Sequence, residues 1–275
     1  MSVASPISIA FFGATGGCAN SCLVHTLKAG YKATALARTP SKLMNLLLSQ
    51  GLDQSTLDNN LTIIQGDATD VSAVKRALAP DSNHGRMVST IISGLGGSPK
   101  LQLSLLTPVT LDNPHICEQA TNTLLTAIRE LQSSSSSSSQ NDQEITKPLL
   151  AIISTTGISS RTQDVPFVFR LLYHYFLAIP HQDKQKMERA IISSMDTPDP
   201  ASRPLKGFIS VRPSLLTGDG TITSGKGWQT LRVGTEEKPA VGYTIQRADV
   251  GEWIFEEVVK AGGGKWINQM VTLTS

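Results

Sequence analysis

Near its N-terminus the chain has a short apolar stretch that leads through a glycine-rich turn into a helical pattern. Residues 7–12 read ISIAFF, and Gly13, Gly16 and Ala19 follow at the spacing GxxGxx(G/A). In such a unit the first glycine allows a tight bend, the second exposes backbone amides to a ligand, and the third small residue lets helix and strand pack closely. The positive end of the helix then faces a phosphate. This feature predicts an α/β fold that binds a dinucleotide.

A second strand pattern, residues 31–37, ends where a dinucleotide fold recognises the adenosine ribose. NAD-binding proteins usually place an acidic residue there, whereas this chain has Arg38, followed by Ser41 and Lys42. A guanidinium forms charge-assisted hydrogen bonds with a ribose 2′-phosphate, so the sequence favours NADP(H) over NAD(H). The alternative interpretation makes Arg38 a solvated surface cation and Lys42 a charge on a helix face.

Strand and helix patterns alternate through the first half of the chain, which predicts a Rossmann-like, doubly wound parallel sheet. Strands are predicted at residues 7–12, 31–37, 61–65, 87–93, 149–154 and 207–211, and helices at 19–29, 41–49, 70–79 and 115–131. Ligands of such sheets bind outside the carboxyl ends of the strands. We therefore expect four segments to meet at one edge: Asp67, Gly94, residues 154–157 and residues 213–217.

The sequence predicts a single NAD(P)-binding domain over residues 1–275. Within it, residues 133–147 contain a run of serines, which is typical of a flexible insert. Two segments, residues 160–180 (approximate bounds) and residues 213–275, are expected to form a small C-terminal substrate lobe. The glycine-rich stretch 218–227 suggests a mobile loop that closes over substrate.

Composition excludes several other classes of protein. The net charge of the 275 residues is +2 and the basic residues are scattered, so no nucleic-acid partner is expected. Residues 7–12 are too short an apolar run for a membrane span or a signal sequence, which favours a cytoplasmic protein. Cys18, Cys22 and Cys117 lack the spacing of metal ligands and are interpreted as packing residues, with a reactive thiol at Cys18 as the alternative. Monomer and dimer are both compatible with the sequence.

Six ordered motifs resemble those of the atypical short-chain dehydrogenases/reductases, specifically the NAD(P)H-binding proteins similar to NmrA and isoflavone reductase. They are GATGGCA at 13–19, ALAR at 35–38, GDATD at 66–70, ISGLGG at 92–97, STTG at 154–157 and RPSLLT at 212–217. The resemblance covers nearly the whole chain. It implies adenine near Asp67 and Ala68, the adenosine ribose near Gly94, and the nicotinamide near 155–156 and 213–215.

Motif and resemblance together give one set of candidate cofactor-binding residues. The set is Gly13, Thr15, Gly16, Gly17, Ala19, Arg38, Ser41, Asp67, Ala68, Gly94, Ser154, Thr155, Thr156, Lys184, Pro213 and Leu215.

The chain departs from the family pattern at the proton donor. Reductases of this superfamily commonly carry YxxxK, but Pro180 stands four residues before Lys184. The pattern KxxxE, ending at Glu188, matches related members, and the resemblance implies Lys184 as a direct or water-relayed acid. The alternative is a solvated helix lysine. Tyr173 and His181 are further candidate donors, although both residue types are more often structural.

An aromatic cluster precedes this lysine. Its members are Phe167, Phe169, Tyr173, Tyr175 and Phe176. They are compatible with an apolar substrate pocket or with the buried face of an amphipathic helix.

Three functions fit these observations. The first is an NADPH-dependent reductase of a mostly apolar small molecule, acting on a carbonyl, an imine or an activated double bond, in specialised metabolism. The second is an enzyme that retains NADP(H) and catalyses a non-redox rearrangement or isomerisation. The third is an NADP-binding redox sensor similar to NmrA. We rank the reductase first because Lys184 and the aromatic cluster would have no required role in a sensor.

Overall fold

The computed structural model describes residues 7–97, 99–101, 109–137, 147–169 and 177–275. Its strands are β1 (Ser8–Phe12), β2 (Lys32–Ala37), β3 (Leu61–Gln65), β4 (Thr90–Ser93), β5 (Pro99–Leu101), β6 (Val109–Leu111), β7 (Leu149–Ile153), β8 (Gly207–Pro213), β9 (Leu215–Thr217), β10 (Arg232–Thr235), β11 (Thr244–Gln246) and β12 (Gln269–Thr274). Its helices are α1 (Gly17–Lys28), α2 (Pro40–Ser49), α3 (Gln54–Asn60), α4 (Val71–Leu78), α5 (Ile116–Ser137), α6 (Ala178–Met195) and α7 (Arg247–Ile254), which continues as a π-helical turn (Phe255–Lys260). No described helix has the length and apolar character needed to cross a membrane.

Eight strands form the main sheet, in the order β10-β12-β8-β7-β4-β1-β2-β3. Neighbours pair in parallel, except that β10 runs antiparallel to β12 at the edge. The predicted Rossmann-like fold is confirmed.

Both faces of the sheet are covered by helices. In β1, Ile9 and Phe11 belong to one hydrophobic cluster, while the alternating residues Ala10 and Phe12 belong to the other. Alternate side chains of a strand point to opposite faces, and burying each large one contributes about 1.5–3 kcal/mol. Continuous apolar strands therefore require helices on both sides, which is the doubly wound arrangement.

Two elements of the C-terminal segment contribute to the main sheet and its core. Strand β12 pairs in parallel with β8, so it extends the main sheet. Helix α7 packs against α1, and its Trp253 is only 1% exposed. The apolar faces of these two elements therefore complete the main core, and the contribution of 213–275 to a substrate lobe stays a prediction. The short β9–β11 pair lies outside the main sheet.

The serine run differs from expectation at its beginning. Helix α5 continues through Ser137, so residues 133–137 are helical and not a flexible insert. The hydroxyls of Ser133 and Ser134 donate to the carbonyls of Arg129 and Glu130 at 2.8 Å each, one helical turn earlier. Such bonds accommodate serine within a helix. The part of the predicted insert at 138–146 lies outside the described residues.

Candidate cofactor site and active site

The glycine turn has the geometry that its sequence predicts. The amide of Gly16 donates to the carbonyl of Gly13 at 2.8 Å, and the amide of Asn20 donates to the carbonyl of Gly16 at 2.8 Å. Gly13 has φ +74°, and a Cβ built on it would lie 2.7 Å from the carbonyl carbon and oxygen of Gly94. The backbone ends of β1 and β4 therefore touch, and a side chain at position 13 has no space.

The start of α1 is open to an anion. Helix α1 has neither a side-chain cap at Gly16 nor an acidic residue in its first turn. The first amides of a helix have no intrahelical acceptor, so a phosphate fits there. Ala19, the third residue of the motif, packs against the end of β4 instead. A Cβ built on Gly94 would lie 2.7 Å from the Cβ of Ala19.

A cleft of about 730 Å³ lies at the carboxyl ends of β1 to β4. The candidate cofactor residues that line it are Gly13, Thr15, Gly16, Arg38, Asp67, Ala68 and Gly94. The other candidates lie outside this lining: Gly17, Ala19, Ser41, Ser154, Thr155, Thr156, Lys184, Pro213 and Leu215. The lining thus unites the residues that directly follow the first four strands of the sheet.

The predicted adenosine end of the cleft, next to the end of β2, carries positive charge. Arg38 and Lys42 line it, and Arg38 is exposed. The carboxylate of Asp67 accepts from the Oγ1 of Thr69 at 2.7 Å and from its amide at 2.9 Å. These hydrogen bonds hold the pKa of Asp67 below its usual range, and Arg38 adds a smaller contribution. Asp67 is therefore an ionised residue that orders its own loop.

One part of the cleft lining, at the start of α5, was not predicted from the sequence. Asp112, Asn113, Ile116 and Gln119 line the cleft. The side-chain Nδ2 of Asn113 donates to the side-chain Oε1 of Gln119 at 3.1 Å. The start of a helix near residue 115 was predictable from pattern, but no motif indicated that its first turn would face the cleft.

Lys184 lies where two central strands end. Its Nζ donates to the carbonyl of Leu95 at 2.8 Å and to the carbonyl of Ile153 at 2.7 Å. Leu95 itself lines the cleft. The preceding residue, Asp183, accepts from the amides of Cys117 and Glu118 at 2.9 Å each. Helix α6 is thus fixed at once to the start of α5 and to the carboxyl edge of the sheet.

The segment after β7 prolongs the pairing with β8. The amide of Ser154 donates to the carbonyl of Val211 at 2.7 Å, and the amide of Thr156 donates to the carbonyl of Pro213 at 3.0 Å. The buried Oγ of Ser154 has no hydrogen-bond partner among the described residues. Leu215, two residues after Pro213, is 38% exposed.

The remaining candidates have different fates. Tyr173 lies outside the described residues. His181 is a buried residue of α6 and does not line the cleft. Burial raises the pKa of the Cys18 thiol to about 12, which argues against the alternative of a reactive thiol there.

A buried ion-pair network lies one helical turn after Lys184, at the predicted reaction end of the site, and the sequence did not reveal it. The guanidinium of Arg212 donates to both carboxylate oxygens of Glu188, at 3.0 and 2.6 Å, and also to Glu236. Asp164 lies in the loop after β7, where its Oδ1 accepts from the amide of Gly157 at 2.9 Å. Burial raises the pKa of Asp164. Glu188, the last residue of KxxxE, thereby fixes the helix that carries Lys184 to β8.

The glycine-rich stretch 218–227 is fixed in the structure, which differs from the expected mobile loop. The amides of Lys226 and Gly227 donate to the Oδ1 of Asp249 at 2.7 and 2.9 Å. The amide of Ile222 donates to the Oε1 of Gln50 at 3.0 Å. These bonds hold the stretch against α7 and the end of α2.

Comparison with known proteins agrees with this geometry. A family model described as NAD(P)H-binding matches residues 13–260. The chain belongs to this NAD(P)H-binding family. Reductase pytE of Aspergillus terreus is 48% identical over 276 residues, with 100% of both chains covered. Oxidase pynE of Aspergillus niger is 47% identical over 283 residues, covering 97% of this chain and 98% of that one.

Solved structures show the same fold at low sequence identity. A short-chain dehydrogenase/reductase from Veillonella parvula, in complex with NADP, has a TM-score of 0.64 at 12% identity, covering 98% of this chain and 94% of that one. ChuY, an anaerobilin reductase from Escherichia coli O157:H7, has a TM-score of 0.59 at 13% identity, covering 97% and 96%. At these identities the structures show that the chain shares this fold. The findings support an NAD(P)-dependent oxidoreductase.

Proposed function

We propose that the protein is an NADPH-dependent reductase of a mostly apolar small molecule, acting on a carbonyl, an imine or an activated double bond. The observation that carries the proposal is one cleft that contains the glycine turn, Arg38 and the carbonyl that binds Lys184. The names of the two fungal relatives, a reductase and an oxidase, both denote redox chemistry but differ in direction. We propose that this protein reduces its substrate with NADPH. The cytoplasmic location and the place in specialised metabolism stay predictions.

The cleft suits a dinucleotide for a physical reason. A Cβ on Gly13 would clash with the backbone of Gly94, and a Cβ on Gly94 would clash with the side chain of Ala19. The cradle is therefore lined by backbone, and the uncapped start of α1 offers amides to the diphosphate. At the adenosine end, Arg38 and Lys42 suit a 2′-phosphate, which supports NADP(H) over NAD(H).

We propose that Lys184 supplies the proton. A reduced nicotinamide supplies the hydride when bound. The carbonyl, imine or activated double bond that accepts this hydride then needs one proton. Two of the three donors of the Lys184 ammonium are engaged by the carbonyls of Leu95 and Ile153. We propose that the third donor, for which the nearby Cys117 thiol is only a weak acceptor, passes its proton to a substrate heteroatom or to a relaying water. Pro180 offers no proton, so this lysine takes over the part of the missing tyrosine.

An apolar substrate is supported by the surface near β9 and β11. Phe167 and Val168 are 77% and 73% exposed, and Tyr243 is 54% exposed. Phe169 meets Tyr243 edge-on, with ring centroids 5.1 Å apart. Leu215 adds a further exposed apolar side chain after β8. Aromatic and aliphatic side chains of this kind bind apolar molecules.

Transfer of deuterium tests the proposal. The protein is incubated with NADPH that carries deuterium at nicotinamide C4, in separate 4R and 4S preparations, and with a small-molecule extract of the source organism. We expect one preparation to give a product that is heavier by one deuterium. A changed but unlabelled compound, with the cofactor unconsumed, would establish the rearrangement enzyme instead. NADPH binding with no changed compound would favour the sensor.

The variant Lys184→Met isolates the proton donor. We expect it to lose nearly all turnover even at saturating NADPH, because the ammonium alone is removed. Near-wild-type rates would exclude Lys184 as the donor. Lys186, which lies on the same helix and pairs with Glu118 at 3.2 Å, provides the matched control Lys186→Met.

A further inference from the structure

One side of the first turn of α1, at Gly17, is covered by residues from the C-terminal part of the chain. A Cβ built on Gly17 would lie 2.5 Å from the Cδ of Arg247 and 3.0 Å from the carbonyl oxygen of Asp219. A Cβ built on Gly220 would lie 2.4 Å from the Cα of Gly17. Position 17 is therefore a glycine because the stretch 218–220 and Arg247 fill the space that a side chain would occupy.

Arg247 brings a cation to this place. It is the first residue of α7, it is half-buried, and its Nη1 donates to the carbonyl of Gly218. Among the described residues, no carboxylate lies within the 4.0 Å of an ion pair with Arg247. The carboxylate of Asp219 is engaged by the amide of Thr221 at 2.9 Å. The guanidinium thus keeps donors for another acceptor.

Two positive groups stand side by side here. The first turn of α1 has no acidic residue and no side-chain cap, and the N-terminal end of a helix carries a partial positive charge. The Arg247 guanidinium lies close enough to this turn that it opposes the effect of burial on the pKa of Cys18. Neighbouring positive groups repel one another unless an anion lies between them. The glycine turn beside them lines the cleft of the cofactor.

We propose that Arg247 binds the diphosphate of the dinucleotide, together with the first amides of α1. The proposal rests on the proposed cofactor site and adds a binding residue that the motif does not contain. It also explains why Gly17 and Gly220 are both glycines: a side chain at either position would move the loop or the arginine away from the turn. The C-terminal helix thereby contributes directly to the cofactor site.

The Arg247→Met variant tests the proposal through dissociation constants, measured by calorimetry for NADPH, NADH and adenosine 2′-monophosphate. The last probe has a 2′-phosphate and no diphosphate. We expect NADPH and NADH to bind about 10- to 100-fold more weakly, as for the loss of one charge-assisted hydrogen bond, and adenosine 2′-monophosphate to bind as to the wild type. Arg247→Lys, which keeps the charge, should retain part of the affinity.

Two variants serve as controls. Arg232 also donates to backbone carbonyls, those of Val241 and Ser275, so Arg232→Met reports the loss of an ordinary structural arginine. Arg38→Ala should show a different pattern from Arg247→Met. It should weaken the binding of NADPH and of adenosine 2′-monophosphate and leave the binding of NADH unchanged. The proposal is overturned if Arg247→Met changes no constant by more than twofold, or if it weakens all three ligands equally. Failure of the proposed cofactor site is distinct, because the wild type would then bind neither dinucleotide. Failure of the proposed reduction is distinct as well, because it would show as NADPH binding without transfer of deuterium.

Discussion

The cleft and the region of Lys184 beside it, which are the predicted adenosine and reaction ends of the site, are built in different ways. At the adenosine end, the contributing residues come from three short segments, 13–16, 38–42 and 67–69, each of which directly follows a strand. At the reaction end, Lys184 reaches carbonyls that are 89 and 31 residues away in the sequence. Arg212 and Glu188 meet across 24 residues. One end depends on local backbone geometry and the other on buried side-chain contacts between distant elements.

This difference predicts two kinds of mutational effect. Changes at the adenosine end should act mainly on ligand binding, because its residues are exposed or are backbone. Changes at the reaction end should act mainly on folding stability, because its charges are buried and compensate one another.

The largest effect is expected at the reaction end. Arg212→Met leaves the carboxylates of Glu188 and Glu236 buried without their cation, and it should lower the free energy of unfolding by about 3–5 kcal/mol. Denaturant unfolding measures this loss. Arg232→Met, at an exposed arginine, should change it by no more than about 0.5 kcal/mol. Similar values for the two variants would mean that the buried network does not support the reaction end.

An intermediate effect is expected at the glycine turn. Gly13→Ala combines a positive φ with a clash against Gly94, so it should cost about 1–3 kcal/mol of stability and also weaken NADPH. Gly30 has a similar φ of +79° but no atom within 4 Å of an added Cβ. Gly30→Ala should therefore lower the melting temperature without changing NADPH affinity. If both variants bound NADPH like the wild type, the close approach at Gly13 would have no part in binding.

The smallest effect concerns Asp164 and depends on pH. Burial raises the pKa of this carboxyl in the folded protein. Its neutral form therefore stabilises the fold below the pKa of an unfolded aspartate, about 3.9, and this contribution is lost as the pH rises through the folded-state pKa. Asp164→Asn is neutral throughout, so its stability relative to the wild type should rise between pH 4 and pH 8.

Melting temperatures across this pH range measure the Asp164 effect. The exposed Asp58 provides the control, since Asp58→Asn should follow the wild type at every pH. A gain for Asp164→Asn that is constant with pH would show that Asp164 does not titrate in the folded protein.

The same contrast explains what the sequence could predict. The strands β1 to β4 and the glycine turn were predictable because apolar runs and a fixed glycine spacing are local signals. Residues 213–275 were assigned to a substrate lobe, because a local pattern does not specify the partner with which a strand pairs. The pairing of β12 with β8 therefore appears only in the structure.

At the site, local motifs led to Arg38 and Asp67, but they gave no sign that Arg212 pairs with Glu188 or that Arg247 reaches the start of α1. Both arginines act through elements that are distant in sequence, for which no spacing rule exists. The glycines of 218–227 suggested mobility. In the structure, Gly220 instead permits close contact with Gly17. A glycine can serve flexibility or close packing, and only the fold decides between them.

The central claim is that Arg38 makes the adenosine end of this cleft selective for NADPH. The most direct test is the ratio of the dissociation constants of NADH and NADPH for the wild type and for Arg38→Ala. The account predicts that the wild type binds NADPH at least about tenfold more tightly. It also predicts that the variant loses this preference through weaker NADPH binding, with NADH unchanged. A wild type without preference, or an equal loss for both cofactors, would contradict it.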